Sequence, residues 1–407
     1  MFSRILFIIP IWLILDFYFF QSLKSATQTL SSTARNGIHW AYWLFDLLLI
    51  LIILYLMFVN PKLLPSKYIF LLVGFVLLTL IPKLLVLPFL LLEDLSRLGA
   101  YAWNLKNNAP YPERRKFIGQ LIVGISSIPF LAIIYGMSKG KYQYKVHHHT
   151  LYFDDLPDAF NNFTITQLSD VHCGSFTDHA SVKRGIALAN EQKSDLLVLT
   201  GDLVNNESVE LDEWQSVFAR LSAPFGVYSI LGNHDYGDYT EWPSAEAKAA
   251  NLRRLKTMQK EMGFRLLLDE HVRLEKNGQS INLVGVQNWG KNFARYGNLE
   301  KAMSTVDDGS FTVLLSHDPT HWEAEILPHP KPVHLTLAGH THGMQFGIEI
   351  PGFRWSAVKY IYNQWAGLYN KGSQYINVNR GFGFIGFSGR VGIWPEISVI
   401  TLKRRTA

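Results

Sequence analysis

Five short segments between residues 169 and 343 carry side chains of the types that bind metal ions or transfer protons. Each places Asp, Asn or His beside glycine or at the end of a predicted strand, and together they offer seven oxygen and nitrogen ligands. Seven ligands are enough for two ions that share one carboxylate, an arrangement that indicates metal-assisted phosphoester hydrolysis. The segments are 169–172 (SDVH), 201–202 (GD), 232–235 (GNHD), 316–318 (SHD) and 339–343 (GHTHG).

The first two segments supply the predicted carboxylates. Asp170 and His172 are one residue apart where a strand is predicted to end, so both side chains can turn toward one ion. Asp202 follows Gly201 at the next strand end, and its two oxygens can bridge two ions. Gly201 lets the backbone approach the metal pair because it has no Cβ. Each of these two motifs is common by chance when it stands alone.

The segment 232–235 is more specific than the first two. Asn233 can offer a neutral amide oxygen to an ion. His234 then stays free to donate a proton to the leaving oxygen as a general acid. We expect Asp235 to hold the imidazole of His234 through its other nitrogen. A purely structural hydrogen bond between His234 and Asp235 is the alternative interpretation.

Three late histidines complete the predicted ligand set. His317 ends one predicted strand, and His340 and His342 follow another, where they can reach two adjacent ions. Carboxylate, amide and imidazole ligands without thiolate favour Mn, Fe, Zn or Co. The only cysteine, Cys173, is expected to be a small packing residue rather than a ligand.

Strand and helix patterns alternate around these segments, and all five segments follow predicted strands. Ligands bind at the carboxyl ends of strands in α/β sheets, so the motif positions and the predicted topology agree. Helices are predicted over 180–192, 211–221 and 245–262. Strands are predicted over 163–168, 195–200, 226–231, 280–286, 311–315, 333–338, 375–378 and 396–402.

Residues 1–138 have a different composition and predict a multi-pass membrane region. The chain is 48% hydrophobic and 17% charged, and the deficit of charge is concentrated here. Four apolar runs approach the roughly 20 residues that a spanning helix needs. A signal peptide is excluded because the first run is bulky and lacks a small-residue cleavage site. In the third run, Pro82 and Lys83 predict a kink or a helix end with a snorkelling lysine. The runs are 5–20, 42–59, 68–92 and 117–135.

The sequence thus predicts a transmembrane helical domain over 1–138, a linker over 139–160 and a catalytic domain over 161–407. The three histidines at 147–149 are expected to lie in a solvated or interfacial linker. Lysines and arginines are almost equally divided between the two sides of the membrane. The basic cluster at 114–116 favours a cytoplasmic third loop, which places the catalytic domain outside the plasma or inner membrane.

The motif order D-x-H, G-D, G-N-H-D, H, G-H-x-H resembles that of the calcineurin-like metallophosphoesterase superfamily over 163–402. The stretch GHTHGMQ at 339–345 is similar to the membrane-associated YkuE-like branch. The resemblance implies a four-layer α/β/β/α sandwich with two mixed sheets. It also implies one ion on Asp170, His172 and His342, a second on Asn233, His317 and His340, a bridge by Asp202, and His234 as acid with Asp235 behind it.

The expected substrate is a phosphorylated small molecule or a lipid-linked phosphoester, because the chain is anchored in a bilayer. Nucleic acid is not expected, since no dense basic stripe with interleaved aromatic residues is present. Arg380 lies among glycines and either contacts a substrate phosphate or supports a loop. The aromatic stretch 353–369 either rests on the bilayer or packs between sheets.

Two other classes of function compete with a phosphoesterase. A membrane sensor or scaffold that binds metal and a phosphate ligand without turnover is disfavoured by the intact His234–Asp235 pair. A transporter is disfavoured because Asp16, Asp46 and Lys83 offer little polar content for a translocation path. The oligomeric state and the choice among phosphomonoester, phosphodiester and pyrophosphate bonds stay open.

Overall fold

The computed structural model describes residues 2–58, 65–103 and 112–405. Its contacts divide the chain into two units, Met1–Ser138 and Lys139–Ala407. Val59, where the second predicted apolar run ends, lies outside the described residues, as do the side chains of Arg114 and Arg115 in the basic cluster.

The first unit consists of long apolar helices. Within the part of the chain that the structure describes, three stretches are long and apolar enough to cross a membrane: Ser32–Leu56, Ser66–Gly99 and Lys116–Ser138. Each predicted apolar run falls within one helix, as far as the described residues extend. The helices are α1 (Phe2–Ala26), α2 (Ser32–Phe58), α3 (Ser66–Trp103) and α4 (Pro112–Ser138).

The sequence suggested that Lys83 snorkels to the membrane surface, but in the structure its side chain stays inside this unit. Its ammonium is buried and pairs with the carboxylates of Asp16 and, at 3.2 Å, Asp46. Tyr42 donates a hydroxyl hydrogen bond to Asp16 at 3.3 Å. Helix α3 does not end at Pro82 and Lys83. The lysine needs no position at a helix end, because carboxylates on α1 and α2 neutralise its charge inside the unit. The three charged residues thus link α1, α2 and α3.

The second unit is built from strands and shorter helices. Its helices are α5 (His179–Glu191), α6 (Gln215–Phe218), α7 (Ala245–Glu261) and α8 (Leu299–Met303). Its strands are β1 (Lys145–Phe153), β2 (Phe163–Leu168), β3 (Leu196–Leu199), β4 (Val227–Ser229), β5 (Phe264–Leu266), β6 (Glu270–Lys276), β7 (Gln279–Gly285), β8 (Thr312–Leu315), β9 (Leu335–Ala338), β10 (Gly347–Ile350), β11 (Phe353–Ser356), β12 (Gly367–Lys371), β13 (Gln374–Val378) and β14 (Glu396–Arg404).

These strands form two six-stranded mixed sheets and one separate hairpin. The first sheet has the order β1-β14-β2-β3-β4-β5, and the second has the order β12-β13-β9-β8-β7-β6. In the first sheet only β14 and β2 are antiparallel neighbours, whereas the two outer pairs of the second sheet are antiparallel. Strands β10 and β11 pair only with each other.

Apolar residues from the inner faces of both sheets form one core cluster, which includes Ile165, Val198, Leu283 and Leu335. Helices α5 and α7 pack on the outer face of the first sheet, and α8 packs on the outer face of the second. The predicted four-layer α/β/β/α sandwich is thereby confirmed. Since β2, β3 and β4 run parallel, and β8 and β9 run parallel, their carboxyl ends carry the five ligand segments.

Residues 139–160 belong to the second unit, where the sequence predicted a linker. Strand β1 pairs in parallel with β14 along its whole length. Its residues alternate between the two sides, so that Leu151 and Phe153 enter the core while Tyr152 faces outward. The three polar histidines at the start of the strand conceal this alternation in the sequence.

Candidate metal centre

Six carboxylate and imidazole side chains form two groups at the carboxyl ends of the strands. Within each group the ligand atoms all lie within 4.8 Å of one another. The first group is Asp170, His172 and His342, and the second is Asp202, His317 and His340.

The first group is enclosed by the protein. The Nε2 atoms of His172 and His342 are 3.1 Å apart, and Nε2 of His342 is 3.2 Å from Oδ1 of Asp170. All three side chains are buried. Two imidazole nitrogens and a carboxylate oxygen that converge in this way are a suitable donor set for a cation.

The second group includes an amide that was also predicted from the sequence. Oδ1 of Asn233 lies 3.1 Å from Nε2 of His317 and 2.9 Å from Nδ1 of His340. The Asn233 amide nitrogen donates to the Tyr239 hydroxyl at 2.9 Å, which leaves the amide oxygen facing the two histidines. The structure therefore brings all seven predicted ligands together.

Asp202 lies between the two groups. Its Oδ2 atom is 3.6 Å from Nε2 of His172 in the first group and 3.1 Å from Nε2 of His317 in the second. Its other oxygen accepts a hydrogen bond from the His234 backbone at 2.8 Å, which fixes the carboxylate. One side chain thus faces both groups.

The backbone around these ligands is strained. Five of the seven adopt left-handed conformations, which cost a residue with a Cβ about 1–2 kcal/mol each. Such strain persists where the surrounding structure imposes it, commonly at functional sites. The five are Asp170 (φ 50°), His172 (φ 47°), Asp202 (φ 56°), His340 (φ 71°) and His342 (φ 51°).

Two glycines of the segments are required for the strands to approach each other. A Cβ on Gly232 would lie 2.3 Å from Oδ1 of Asp202, and a Cβ on Gly339 would lie 2.2 Å from Oδ2 of Asp170. Both distances are too short for any side chain. These glycines therefore allow the ligand carboxylates to sit against neighbouring strand ends.

Burial and mutual attraction within the groups both shift the pKa values of their members. Burial would raise the pKa of Asp170, but His342 outweighs it and holds the pKa below its usual range. The Asp202 carboxylate, together with other contacts, overcomes burial and raises the pKa of His317 to about 10. Burial lowers the pKa of His172 and His340.

His234 lies beside the groups, but Asp235 does not hold its ring. Nδ1 of His234 donates to the carbonyl oxygen of Asn205 at 2.7 Å. The Asp235 carboxylate is fully buried and accepts hydrogen bonds from the backbone of Asp202, Leu203 and Gly232 at 2.8–2.9 Å. The prediction that Asp235 orients His234 is therefore wrong, because these three backbone donors occupy the carboxylate.

Arg380 is held inside the protein. Its guanidinium is buried and pairs with Glu396 and, at 2.6 Å, with Glu349. Of the two alternatives predicted for this arginine, the pairing favours support of a loop over contact with a substrate phosphate. A different arginine, Arg390, lies beside a candidate ligand: it is fully buried, and its Nη2 is 3.3 Å from Nδ1 of His342.

Sequence reasoning missed the residues that surround His340. The Tyr362 hydroxyl lies 2.9 Å from Nε2 of His340, and an Asp318 oxygen lies 3.6 Å from the same nitrogen. Asp318 follows His317 directly, so its motif could have drawn attention to it. Tyr362 lies in the aromatic stretch 353–369, and its pairing depends on the tertiary fold.

A cavity of about 500 Å³ opens beside His340. Tyr362 is part of its wall, and the cationic side chains of Lys291 and Arg295 line it as well. The Arg295 guanidinium stacks over the Trp289 ring, 4.4 Å from its centroid. Glu323 and Glu325 also belong to the wall, so the cavity presents both signs of charge.

The fold and the buried donor groups define a class, that of metal-dependent α/β hydrolases. A family model described as calcineurin-like phosphoesterase matches residues 163–344, and one described as probable calcineurin-like phosphoesterase, transmembrane domain, matches residues 3–141. YkuE, an uncharacterized metallophosphoesterase of Bacillus subtilis, is 32% identical over 63% of this chain and 84% of its own length. The chain belongs to the calcineurin-like phosphoesterase family.

Two further relatives carry names that state an activity. LpxG of Chlamydia trachomatis, named a UDP-2,3-diacylglucosamine pyrophosphatase, is 27% identical and aligns over 56% of this chain and 81% of its own. The phosphodiesterase YaeI of Escherichia coli is 24% identical, over 71% of this chain and 98% of its own. The resemblance seen in the sequence is confirmed: the chain is a metallophosphoesterase with a transmembrane domain.

Proposed function

We propose that the chain is a membrane-anchored phosphoesterase with two divalent ions that share Asp202. Asp170, His172 and His342 would hold one ion, and Asn233, His317 and His340 the other. The observation that carries the proposal is the position of Oδ2 of Asp202, which faces a histidine of each group at 3.6 and 3.1 Å.

The residues of the two groups fit such ions. Imidazole nitrogens of different histidines approach within 3.1 Å in the first group and 3.3 Å in the second, and both contacts are buried beside carboxylates. The oxygen and nitrogen donors, without thiolate, suit Mn, Fe, Zn or Co. Bound ions would polarise the phosphoryl oxygens and lower the pKa of a bound water.

His234 is the proposed proton donor. The Asn205 carbonyl accepts the Nδ1 proton, which leaves Nε2 to carry the proton that is transferred. When the phosphoester bond breaks, the protonated ring would donate to the leaving oxygen. Asp235 is proposed to position the two turns that carry Asp202 and His234, through its hydrogen bonds to the backbone of Asp202, Leu203 and Gly232.

The substrate is proposed to be a phosphorylated molecule, with a lipid-linked phosphoester as the first candidate. Lys291 and Arg295 in the cavity beside His340 would contact a second anionic group, such as the other half of a diphosphate. The two glutamates of the same wall have other partners, Gln364 for Glu323 and His321 for Glu325. The name of LpxG specifies a diacylated sugar nucleotide. A related substrate agrees with the membrane helices of this chain.

Hydrolysis by the purified full chain tests the proposal. With Mn²⁺ added, it should hydrolyse bis-p-nitrophenyl phosphate and cleave the pyrophosphate bond of a diacylated sugar nucleotide into a nucleoside monophosphate and a diacylated sugar phosphate. Asp202→Ala and Asn233→Ala should each lower the rate about 100-fold or more, since even indirect support of metal ligands is worth 10–100-fold. The control is His271→Ala, on strand β6 outside both groups.

Two outcomes would overturn the proposal. One is full activity in Asp202→Ala and Asn233→Ala. The other is a metal-loaded chain that turns over no phosphomonoester, phosphodiester or pyrophosphate, which would favour the sensor or scaffold alternative.

A further inference from the structure

The hairpin of β10 and β11 presents an apolar face to the outside. Ile350 pairs with Phe353, and Ile348 pairs with Trp355, so these side chains share one side of the hairpin. Ile348, Ile350 and Phe353 are 50%, 58% and 52% exposed. We call these three residues the apolar hairpin face.

The charged side of the same hairpin faces the protein. Glu349, between the two isoleucines, pairs with Arg380 at 2.6 Å. Its cross-strand partner Arg354 stacks over Trp365, 5.0 Å from the ring centroid. The usual arrangement of an antiparallel hairpin, apolar side inward and polar side outward, is reversed. The ion pair and the stacking contact hold the hairpin in this reversed orientation.

The chain leads directly from this hairpin to the metal centre. Tyr360 and Ile361 follow it and are also exposed, and the Lys359 ammonium lies 5.4 Å from the Tyr360 ring centroid. Ile361 and its neighbour Tyr362 line the cavity beside His340. Exposed apolar side chains with tyrosine and lysine nearby are typical of the membrane interface.

We propose that the apolar hairpin face inserts into the boundary between headgroups and acyl chains of the bilayer that holds the first unit. A lipid surface is the favoured occupant because the same chain carries helices apolar enough to span a membrane. Insertion would present the cavity beside His340 to molecules that reside in the lipid surface. That last consequence rests on the proposed function, whereas the insertion itself does not.

Spin labelling of the full chain in nanodiscs of phosphatidylcholine and phosphatidylglycerol tests the insertion. Labels are attached to Phe353→Cys and, as a matched control, to Lys371→Cys at the tip of the exposed β12–β13 hairpin. The native Cys173 is fully buried. The label at 353 should be relaxed mainly by oxygen, which dissolves in lipid, and the label at 371 mainly by a water-soluble nickel complex.

Equal accessibility of both labels to the nickel complex would overturn the proposal. Shielding at 353 that disappears when each nanodisc holds one copy would also overturn it, because a second copy of the chain would then be the occupant. Ile350→Cys provides a second label on the same face in case Phe353→Cys disturbs the hairpin.

A kinetic comparison separates this proposal from the proposed function. The double variant Ile350→Asp/Phe353→Asp should hydrolyse a lipid-embedded substrate several-fold more slowly and leave hydrolysis of soluble bis-p-nitrophenyl phosphate unchanged. An equal loss on both substrates would contradict a role for the face in access to lipid. The spin-label result is independent of catalysis, so each idea can fail alone.

Discussion

At the scale of single residues, His234 has the contacts of a proton donor. Its Nδ1 proton is fixed by the Asn205 carbonyl, and its ring lies 4.9 Å from that of the candidate ligand His172. A ring fixed at one nitrogen can deliver a proton from the other with little reorganisation.

We predict that His234→Gln slows hydrolysis of an alkyl phosphodiester about 10²–10⁴-fold, the usual contribution of general acid catalysis. The loss should be much smaller for bis-p-nitrophenyl phosphate, whose leaving group needs little protonation. Rates of both substrates with His234→Gln, measured with His271→Gln as control, check the prediction. Equal losses on the two substrates would show that His234 does not protonate the leaving group.

The buried ion pair of Arg380 with Glu396 supports the end of the second sheet. We predict that Arg380→Met destabilises the second unit by about 3–5 kcal/mol, because it leaves Glu396 buried without its counter-charge. The double variant Arg380→Met/Glu396→Gln should recover part of that loss. Hydrogen exchange of β13 and β14 in the full chain measures both effects, and equal exchange in wild type and Arg380→Met would contradict the prediction.

The same pair predicts a dependence of stability on pH. Burial would raise the pKa of Glu396, but the Arg380 charge outweighs it and lowers the pKa from 4.5 to about 2. A lowered carboxyl pKa contributes stability that is complete above the unfolded pKa and is lost as pH falls toward the folded one. The protection factors of the β14 amides, corrected for the intrinsic exchange rate at each pH, should therefore fall between about pH 4.5 and 2, and this fall should be weaker in Glu396→Gln.

At the residue scale, the sequence identified ligand types well and contacts between neighbours poorly. The seven ligands were recognisable because each follows a strand in a glycine-rich segment. Asp235 was predicted to orient His234 because the two are adjacent in sequence. Its carboxylate instead accepts hydrogen bonds from the backbone that follows β3. Arg380 was singled out and Arg390 was overlooked, because nothing in the local sequence distinguishes an arginine paired with carboxylates from one beside a candidate ligand.

At the scale of elements, β1 contributes more to the apolar core than its polar sequence suggests. Leu151 is 2% exposed and belongs to the core between the sheets, whereas the next residue, Tyr152, is 48% exposed. We predict that Leu151→Ala costs about 2–5 kcal/mol of unfolding free energy. Tyr152→Ala, the matched control, should cost little.

Hydrogen exchange of β14, the neighbour of β1, measures the effect of both variants. If residues 139–160 were a solvated linker, Leu151→Ala and Tyr152→Ala would be equally harmless. A large difference between them is the result expected of an alternating edge strand.

Elements with continuous apolar runs could be predicted, and mixed or polar ones could not. Strands β2, β3, β8 and β9 are short buried runs bounded by polar residues, which explains why their positions were foreseen. The polar edge strands β1 and β6 and the reversed hairpin lack that pattern. The helix predicted over 211–221 is only four residues long in the structure (α6, Gln215–Phe218), because the flanking residues form short turns.

At the scale of the whole molecule, the protein combines a membrane unit with a phosphoesterase unit. The composition of residues 1–138 predicted the membrane unit. Helices that are apolar on all sides bury little of their surface in protein, so their outer faces require a lipid environment. The buried Asp16–Lys83–Asp46 cluster was not foreseen, because residues far apart in sequence meet only when the helices pack. The substrate is not encoded in any single motif, since the relatives that match this chain include one named a pyrophosphatase and one named a phosphodiesterase.

We predict four membrane spans, with the phosphoesterase unit outside the cytoplasm. The reason is the basic cluster at 114–116, which favours a cytoplasmic third loop. An alkaline phosphatase fusion at the carboxyl terminus should be active, and a fusion at residue 108 should be inactive. The reverse pattern would place the catalytic unit in the cytoplasm and exclude substrates confined to the outer surface.

The central claim, two ions bridged by Asp202, is tested most directly by the metal content of the full chain. Purified in nanodiscs and saturated with Mn²⁺, the wild-type chain should hold two ions whose electron paramagnetic resonance shows magnetic coupling. Asp202→Asn, which keeps an oxygen for the His234 backbone, should lose the coupling and at least one ion, while His271→Ala should keep both. A wild-type chain that holds one ion, or an unchanged coupled pair in Asp202→Asn, would contradict the account.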